Sequence, residues 1–132
     1  MRIAIVGSRK YPDLERVATY VGTLLATDVV VSGGAAGVDR TAAEAARSLG
    51  LDVVEHLPDW DRLGKAAGML RNMAIVNDAD SVVAFWDGHS KGTQHTITLA
   101  RRAGKLLMVY GPDGAPVVEA LMETGTWKIA KR

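Results

Sequence analysis

The segment Ser32-Gly33-Gly34-Ala35-Ala36-Gly37-Val38-Asp39 follows an apolar run at 28–31 and precedes a run of helical period at 40–49. Three glycines between a strand and a helix leave backbone N–H groups uncovered at the positive end of a helix, an arrangement that suits a phosphate or another anion. The chemistry implied is the binding of a nucleotide-like ligand. The plainer reading is a tight strand-to-helix turn with no ligand, which every α/β fold also needs.

Two further loops repeat the pattern. Gly7-Ser8-Arg9 follows the apolar run 3–6, and Asp87-Gly88-His89-Ser90-Lys91-Gly92-Thr93 follows 81–86. In a parallel sheet the carboxyl ends of the strands share one edge, and ligands gather there where the strand order reverses. Three small-residue loops on that edge outline one site, and Gly34→Val is expected to obstruct it while leaving the fold largely intact.

Neither familiar nucleotide fingerprint is present. Gly33, Gly34 and Gly37 do not give Gly-x-Gly-x-x-Gly, and Gly64-Lys65 has Asp59 where a P-loop needs its first glycine and Ala66 where it needs Ser or Thr. Asp39 falls in the first turn of a helix, where a carboxylate is favoured by the dipole and can cap backbone donors, or can accept from ribose hydroxyls. Lys65 and Arg71, six residues apart on a helix, sit about 120° from a common face, so they need not serve one atom. Arg71 lies among apolar neighbours beside Asn72, and a guanidinium there calls for a phosphate or a carboxylate; Asp78 and Asp80 are the carboxylates in reach along the chain.

His56, His89 and His95 can each be grouped with Asp59, Asp61 or Asp87, but no pair has the i, i+4 spacing of a zinc helix, so no metal site is expected. Trp60 and Trp86 flank the predicted edge and are open to two readings, stacking on a base or packing in the core or rim.

The elements that position these residues read as a wound parallel sheet. Apolar runs at 2–6, 28–31, 52–56, 81–86 and 105–110 predict five strands. Between them, Leu14, Val17, Val21, Leu24 and Leu25 make one helical stripe, and Ala42, Ala43, Ala46 and Leu49 a second. Ala66, Leu70, Met73 and Ala74 make a third, starting near Gly64-Lys65, and Ile97, Ala100 and Ala103 a fourth. A turn at 111–114 leads to a short fifth helix at 115–124. The expectation is an α/β, Rossmann-like three-layer sandwich with a mostly parallel five-stranded sheet, one domain at 1–124 and a short basic tail at 125–132.

Composition narrows the class. A chain of 132 residues without cysteine forms one domain, needs no disulfides and fits a reducing, cytoplasmic compartment. No apolar run approaches a secretory or membrane-spanning length. With 16 basic and 15 acidic side chains there is no global field for a polyanion, and seven aromatics are few for a stacking groove, which ranks single-stranded nucleic acid low as a partner. Met69, Leu70, Met73, Ile75 and Val76 carry more apolar surface than one side of a sheet covers, which predicts a homodimer or higher oligomer.

Taken in order, Gly7-Ser8-Arg9, Ser32-Gly33-Gly34-Ala35-x-Gly37-Val38-Asp39-x-x-Ala42, Arg71-Asn72 and Asp87-Gly88-x-Ser90-x-Gly92-Thr93 resemble the SLOG superfamily, which joins the DprA/Smf DNA-processing proteins to the LOG phosphoribohydrolases. Trp60, Gly64-Lys65-x-Ala67-Gly68 and Phe85-Trp86-Asp87-Gly88 are similar to its small YspA/YpsA-like branch. The resemblance implies a Rossmann-like sheet whose glycine loops bind a nucleotide or nucleotide-derived signal; no cofactor is predicted. LOG enzymes cleave the N-glycosidic bond of a nucleoside monophosphate with an arginine, matched by Arg71, and a glutamate, whose position falls at Thr96. No acidic residue follows Gly92-Thr93 in the predicted helix, and His95 and Asp87 are the titratable candidates nearby. Nucleotide binding is therefore the expected function, with N-glycosidic hydrolysis and DprA-like single-stranded DNA binding as alternatives.

Overall fold

A computed structural model of the chain describes residues 1–117. Five strands, β1 (Arg2–Gly7), β2 (Val29–Ser32), β3 (Asp52–Glu55), β4 (Ser81–Phe85) and β5 (Leu106–Tyr110), pair in the order β3-β2-β1-β4-β5. Every pairing between them is parallel. β1 is central, so both its faces must be apolar: Ile3 and Ile5 face one helical layer, Ala4 and Val6 the other.

On the Ile3 face lie α1 (Leu14–Val21) and α2 (Val38–Ser48), through Val17, Val21, Val38, Ala42 and Ala46. On the Ala4 face lie α4 (Ala67–Asp78) and α5 (Lys91–Arg102), through Ile75, Val76, Ile97 and Ala100. A short α3 (Trp60–Leu63) and a 3₁₀ turn (Gly64–Ala66) precede α4. The predicted three-layer sandwich is present. Lys105 ties its layers at the far edge, donating from Nζ to the Val76 and Asn77 carbonyls near the end of α4 at 2.8 and 3.3 Å.

The functional consequence of the topology is the reversal between β1 and β4. The chain winds outward from β1 to β3, then returns to the other side of β1. The loops leaving β1 and β4 therefore go to opposite faces, and a crevice opens between them at the carboxyl edge.

Several boundaries differ from the sequence expectation. α1 stops at Val21, because Gly22 and Thr23 close it with bonds back to Ala18 and Tyr20; Leu25, expected on its stripe, is 68% exposed. The third helix begins at Ala67 instead of near Gly64-Lys65, since Gly64 adopts φ +56° and ends α3. The fifth helix does not start at Ala115. Gly114 has φ +79°, the Asp113 carboxylate takes the Ala115 amide, and Pro116 bridges antiparallel to Tyr110, so 115–117 run along the edge of β5. The rest of that predicted helix and the basic tail lie outside the described residues. On α4, Ile75 and Val76 enter the core whereas Met69, Leu70 and Met73 stay exposed. Among the described residues no helix is long and apolar enough to cross a membrane.

Gly7 ends β1 under the tightest constraint. A Cβ there would meet the Phe85 carbonyl of β4 and stand 2.7 Å from Val38 Cγ2 of α2. Gly7→Ala is expected to destabilise the domain by about 1–3 kcal/mol, the cost of overpacking a close-packed contact. Urea denaturation checks it; an unchanged midpoint would mean that strand and helix can part here freely.

Candidate functional site

Polar side chains buried in an apolar domain need hydrogen-bond partners, and where they concentrate marks a built site. Among the described residues seven polar side chains are buried: Ser8, Asp28, Ser32, Asp39, Asn72, Thr93 and Thr96. All but Asp28 stand at the carboxyl edge. There a cleft of about 250 Å³ is lined by Val6, Gly7, Arg9, Ala35, Asp39, Arg71, Asn72, Ile75, Ser90, Gly92, Thr93 and Thr96.

Asp39, in the first turn of α2, reaches back to the strands. Its Oδ1 accepts from the Gly7 amide at 3.2 Å and its Oδ2 from the Ala35 amide at 3.3 Å. Burial pushes its carboxyl up to about 6, against the opposing pull of the Ala35, Gly7 and Gly33 amides and of Arg71. Arg71 enters from α4. One Nη donates to the Gly33 carbonyl, and Nε donates to Asn72 Oδ1 at 3.0 Å. Burial draws the guanidinium below its ordinary value, with Asp39 pulling the other way and Arg9 adding to the lowering. Among the described residues no carboxylate lies within ion-pair distance of Arg71: Asp78 is taken by Arg2 and His56, and Asp80 by the Arg2 amide. The salt bridge to Asp78 or Asp80 that the sequence left open does not form.

α5 closes the other wall. Asn72 Nδ2 approaches the Gly92 carbonyl at 3.4 Å and His95 Nδ1 at 3.2 Å, fastening α4 to the start of α5. Ser90 caps α5, accepting from the Thr93 amide at 3.4 Å, with the two hydroxyls 3.0 Å apart. Thr96 faces the cleft where the resemblance places a glutamate, and its hydroxyl donates to the Gly92 carbonyl at 3.2 Å.

The other predicted site residues frame the cleft or stand away from it. A Cβ on Gly33 would lie 2.8 Å from Asp39 Oδ2 and 2.9 Å from an Arg71 Nη, so this glycine lets the two side chains converge. Gly37, at φ +81°, lies against the Arg9 backbone. Gly34 is different. At φ +72° its Cβ would strike Leu57, so Gly34→Val strains the loop on its outer side instead of filling the cleft, and it is not the clean blocking variant the sequence suggested.

Ser32 donates to the Asp39 carbonyl at 3.2 Å, and Ser8 accepts from the Asp87 amide at 3.1 Å, clipping the β1 and β4 loops together. Burial alone would raise the Asp87 carboxyl, but bonds from the His89 and Ser90 amides and from Ser8 hold it below its usual value. It organises its own loop, whose turn Gly88 makes at φ +88°. Lys65 is exposed on the 3₁₀ turn and does not line the cleft; His95 stands behind Asn72. Trp86 is buried in the core with its indole N–H on the Ser90 carbonyl, and Trp60 packs over Gly68, so neither offers a stacking face to the cleft.

Residues 1–63 match the YspA, cpYpsA-related SLOG family. The Gene 61 protein of Mycobacterium phage D29 is 38% identical over 83% of this chain and 96% of its own length. A protein of Archaeoglobus fulgidus is 32% identical over 89% of this chain and 83% of its own. The chain belongs to the YspA, cpYpsA-related SLOG family.

The fold agrees. DNA processing protein A (DprA) of Streptococcus pneumoniae superposes with a TM-score of 0.70 at 22% identity, over 83% of this chain and 49% of that one. DprA of Helicobacter pylori, described for its single-stranded DNA binding mode, does so with 0.63 at 21% identity, over 84% and 64%. This chain spans about half of the first and under two-thirds of the second, so the likeness is one of the SLOG sheet and its helices.

The family match covers the two loops that supply Gly7, Arg9, Ala35 and Asp39. The opposite wall of the cleft, Arg71, Asn72 and the start of α5, comes from beyond residue 63. Sequence reading missed Val6 and Ile75 as lining residues, and the meeting of Asp39 with Arg71 across Gly33, whereas Ala35 lies within a loop it marked. Only the one-turn spacing of Asn72 and Ile75, which puts both on the inner face of α4, hinted at part of it.

Because the Asp39 carboxyl titrates higher folded than unfolded, its contribution to stability is present below its usual 3.8 and lost as pH rises through about 6. The unfolding free energy of the parent is expected to fall relative to that of Asp39→Asn between about pH 4 and pH 7, by up to about 3 kcal/mol. Denaturation series at stepped pH check it, and a constant difference would show the carboxyl to be unperturbed.

Proposed function

We propose that the cleft binds the phosphate-bearing end of a nucleotide or nucleotide-derived ligand. The observation that carries this reading is Arg71: a half-buried guanidinium at the strand-order reversal, aimed by a backbone carbonyl and Asn72, with no carboxylate in ion-pair range among the described residues. Buried cations are held by partners, and a site that orients one without closing an ion pair on it suits an incoming anion. Arg9 adds a second cation on the rim. The starts of α2 and α5 point their dipoles at the same space.

The size of the cleft supports a ligand held by one end. About 250 Å³ is below the roughly 300–1,000 Å³ typical of pockets that enclose a whole small molecule. A phosphoribosyl group fits that space better than an entire nucleotide, which leaves the base toward the open side. Membership of the SLOG family supports nucleotide chemistry in the same place.

Binding without rapid turnover follows from the cleft walls. Cleavage of an N-glycosidic bond builds positive charge on the ribose, and Thr96 offers there a hydroxyl already donated to Gly92. Loss of one well-placed electrostatic group costs about 10²- to 10³-fold in rate. A DNA groove wants aromatic platforms, and among the described residues no aromatic side chain lines the cleft.

The test is a calorimetric panel of AMP, GMP, ribose 5-phosphate and a single-stranded oligonucleotide, with base release followed in parallel. Mononucleotides are expected to bind and to release base slowly or not at all. Arg71→Gln, whose amide reaches about as far as the Arg71 Nε and carries no charge, should weaken mononucleotide binding about 10- to 100-fold, as expected for loss of a charged hydrogen bond. Unaltered affinity in that variant, or binding of the oligonucleotide alone, would overturn the assignment.

A further inference from the structure

We infer that the cleft takes up its anion together with a proton from solvent, and that Asp39 holds that proton while the ligand is bound. This rests on the reading of the cleft as an anion site and adds what that reading leaves open, the charge state in which the site binds.

The geometry that carries it is the placement of a carboxylate inside an anion cleft. Asp39 is 5% exposed and lines the same space as Arg71 and Arg9. Among the described residues it has no ion-pair partner. Its oxygens accept from backbone amides at 3.2 and 3.3 Å, at the long end of hydrogen-bond distances. Across Gly33, Arg71 stands on the same small gap that a single Cβ would close. An anion bound to Arg71 thus arrives next to a carboxylate in a place with little water to screen them.

The elements packed around Asp39 present few charged or titratable groups among the described residues. From α4 the facing groups are Arg71 and the neutral Asn72, and from the β1 loop Arg9. From α5 they are Ser90, Thr93 and Thr96, with no acid in its first turn and His95 set behind Asn72. At the end of β3, Glu55 lies toward Gly34 but is paired with Arg47. In the β4 loop Asp87 is fastened by the amides of its own turn. The local count is two cations against one carboxylate.

A dianion therefore meets a matching charge only when Asp39 is neutral. Two like charges sharing a buried site raise the proton affinity of the one that can titrate. By reciprocity the proton then raises affinity for the anion. The balance is simple: site plus anion plus one solvent proton gives the complex, with the new O–H on Asp39 available to donate to a ligand oxygen. The free carboxyl, already pushed up to about 6, starts close to where this exchange operates.

Inorganic sulfate is the probe, since it stays a dianion throughout the range tested and leaves the protein as the only source of a pH slope. Calorimetry at neutral pH in two buffers of different ionisation enthalpy is expected to show close to one proton taken up per sulfate. Sulfate affinity should fall by up to about tenfold per pH unit between about pH 6 and pH 8. Asp39→Asn should abolish the slope and His95→Gln should keep it. As a measurement independent of any variant, the Asp39 carboxyl carbon in the parent should titrate at higher pH with sulfate than without. If neither sulfate nor AMP binds at any pH, the anion-site reading itself fails. If they bind without proton uptake, if the slope survives Asp39→Asn or disappears with His95→Gln, or if the carboxyl titrates alike in both samples, the proton coupling is wrong and the anion site stands.

Discussion

One buried carboxylate holds the carboxyl edge of this domain together. Asp39 starts α2, yet its oxygens bond the last residue of β1 and the middle of the β2 loop, so three segments are fixed by a single side chain. Its charge also sits in the field of Arg71, which α4 delivers from the other face of the sheet. A carboxylate so buried is costly unless amides and a cation compensate it, and here the compensation is partial, as its raised proton affinity records. The same residue is thus clamp and tuning element, and the rest of the site is arranged around it.

The glycines follow from that arrangement. Gly33 leaves the gap across which Asp39 and Arg71 approach, Gly37 allows the β2 loop to press on the Arg9 backbone, and Gly7 lets β1 end beneath α2. Each removes a Cβ where two elements must come together. The strand reversal beside β1 supplies the crevice, and these close approaches bring backbone amides and charged tips to its walls. Loop, sheet order and side chain are therefore one constraint seen at three scales.

Much of this was legible in the sequence. Strands buried on both faces write themselves as apolar runs, and all five lie within a residue or two of their expected limits. The loops after β1, β2 and β4 were identified because small residues concentrate where a strand hands over to a helix. What periodicity cannot carry was misread. Gly64 and Gly114 look like ordinary turn residues, and only their positive φ shows that the first separates α3 from α4 and the second turns the chain back along β5. Pro116 suits a helix start or a sheet edge equally, and the free edge of β5 decided for the latter. The meeting of Asp39 with Arg71 joins residues from opposite helical layers and leaves no trace in local spacing.

The meeting of Asp39 and Arg71 matters the more because the net charge of the whole chain is only +1. Global charge governs steering over distances where salt screens it, whereas a half-enclosed cleft acts through two or three groups at contact. Most of the ion pairs elsewhere are spent on structure, with Arg2 and His56 on Asp78, Arg47 on Glu55 and Arg62 on Asp59. Arg71 is set apart from them by holding a carbonyl and an amide instead of a carboxylate. Its wall and the wall that carries Asp39 come from opposite sides of the sheet, so the site exists only once the β1 and β4 halves have docked. The cleft is then a property of the assembled fold: the half that matches the family supplies the carboxylate, and the other half supplies the Arg71 guanidinium.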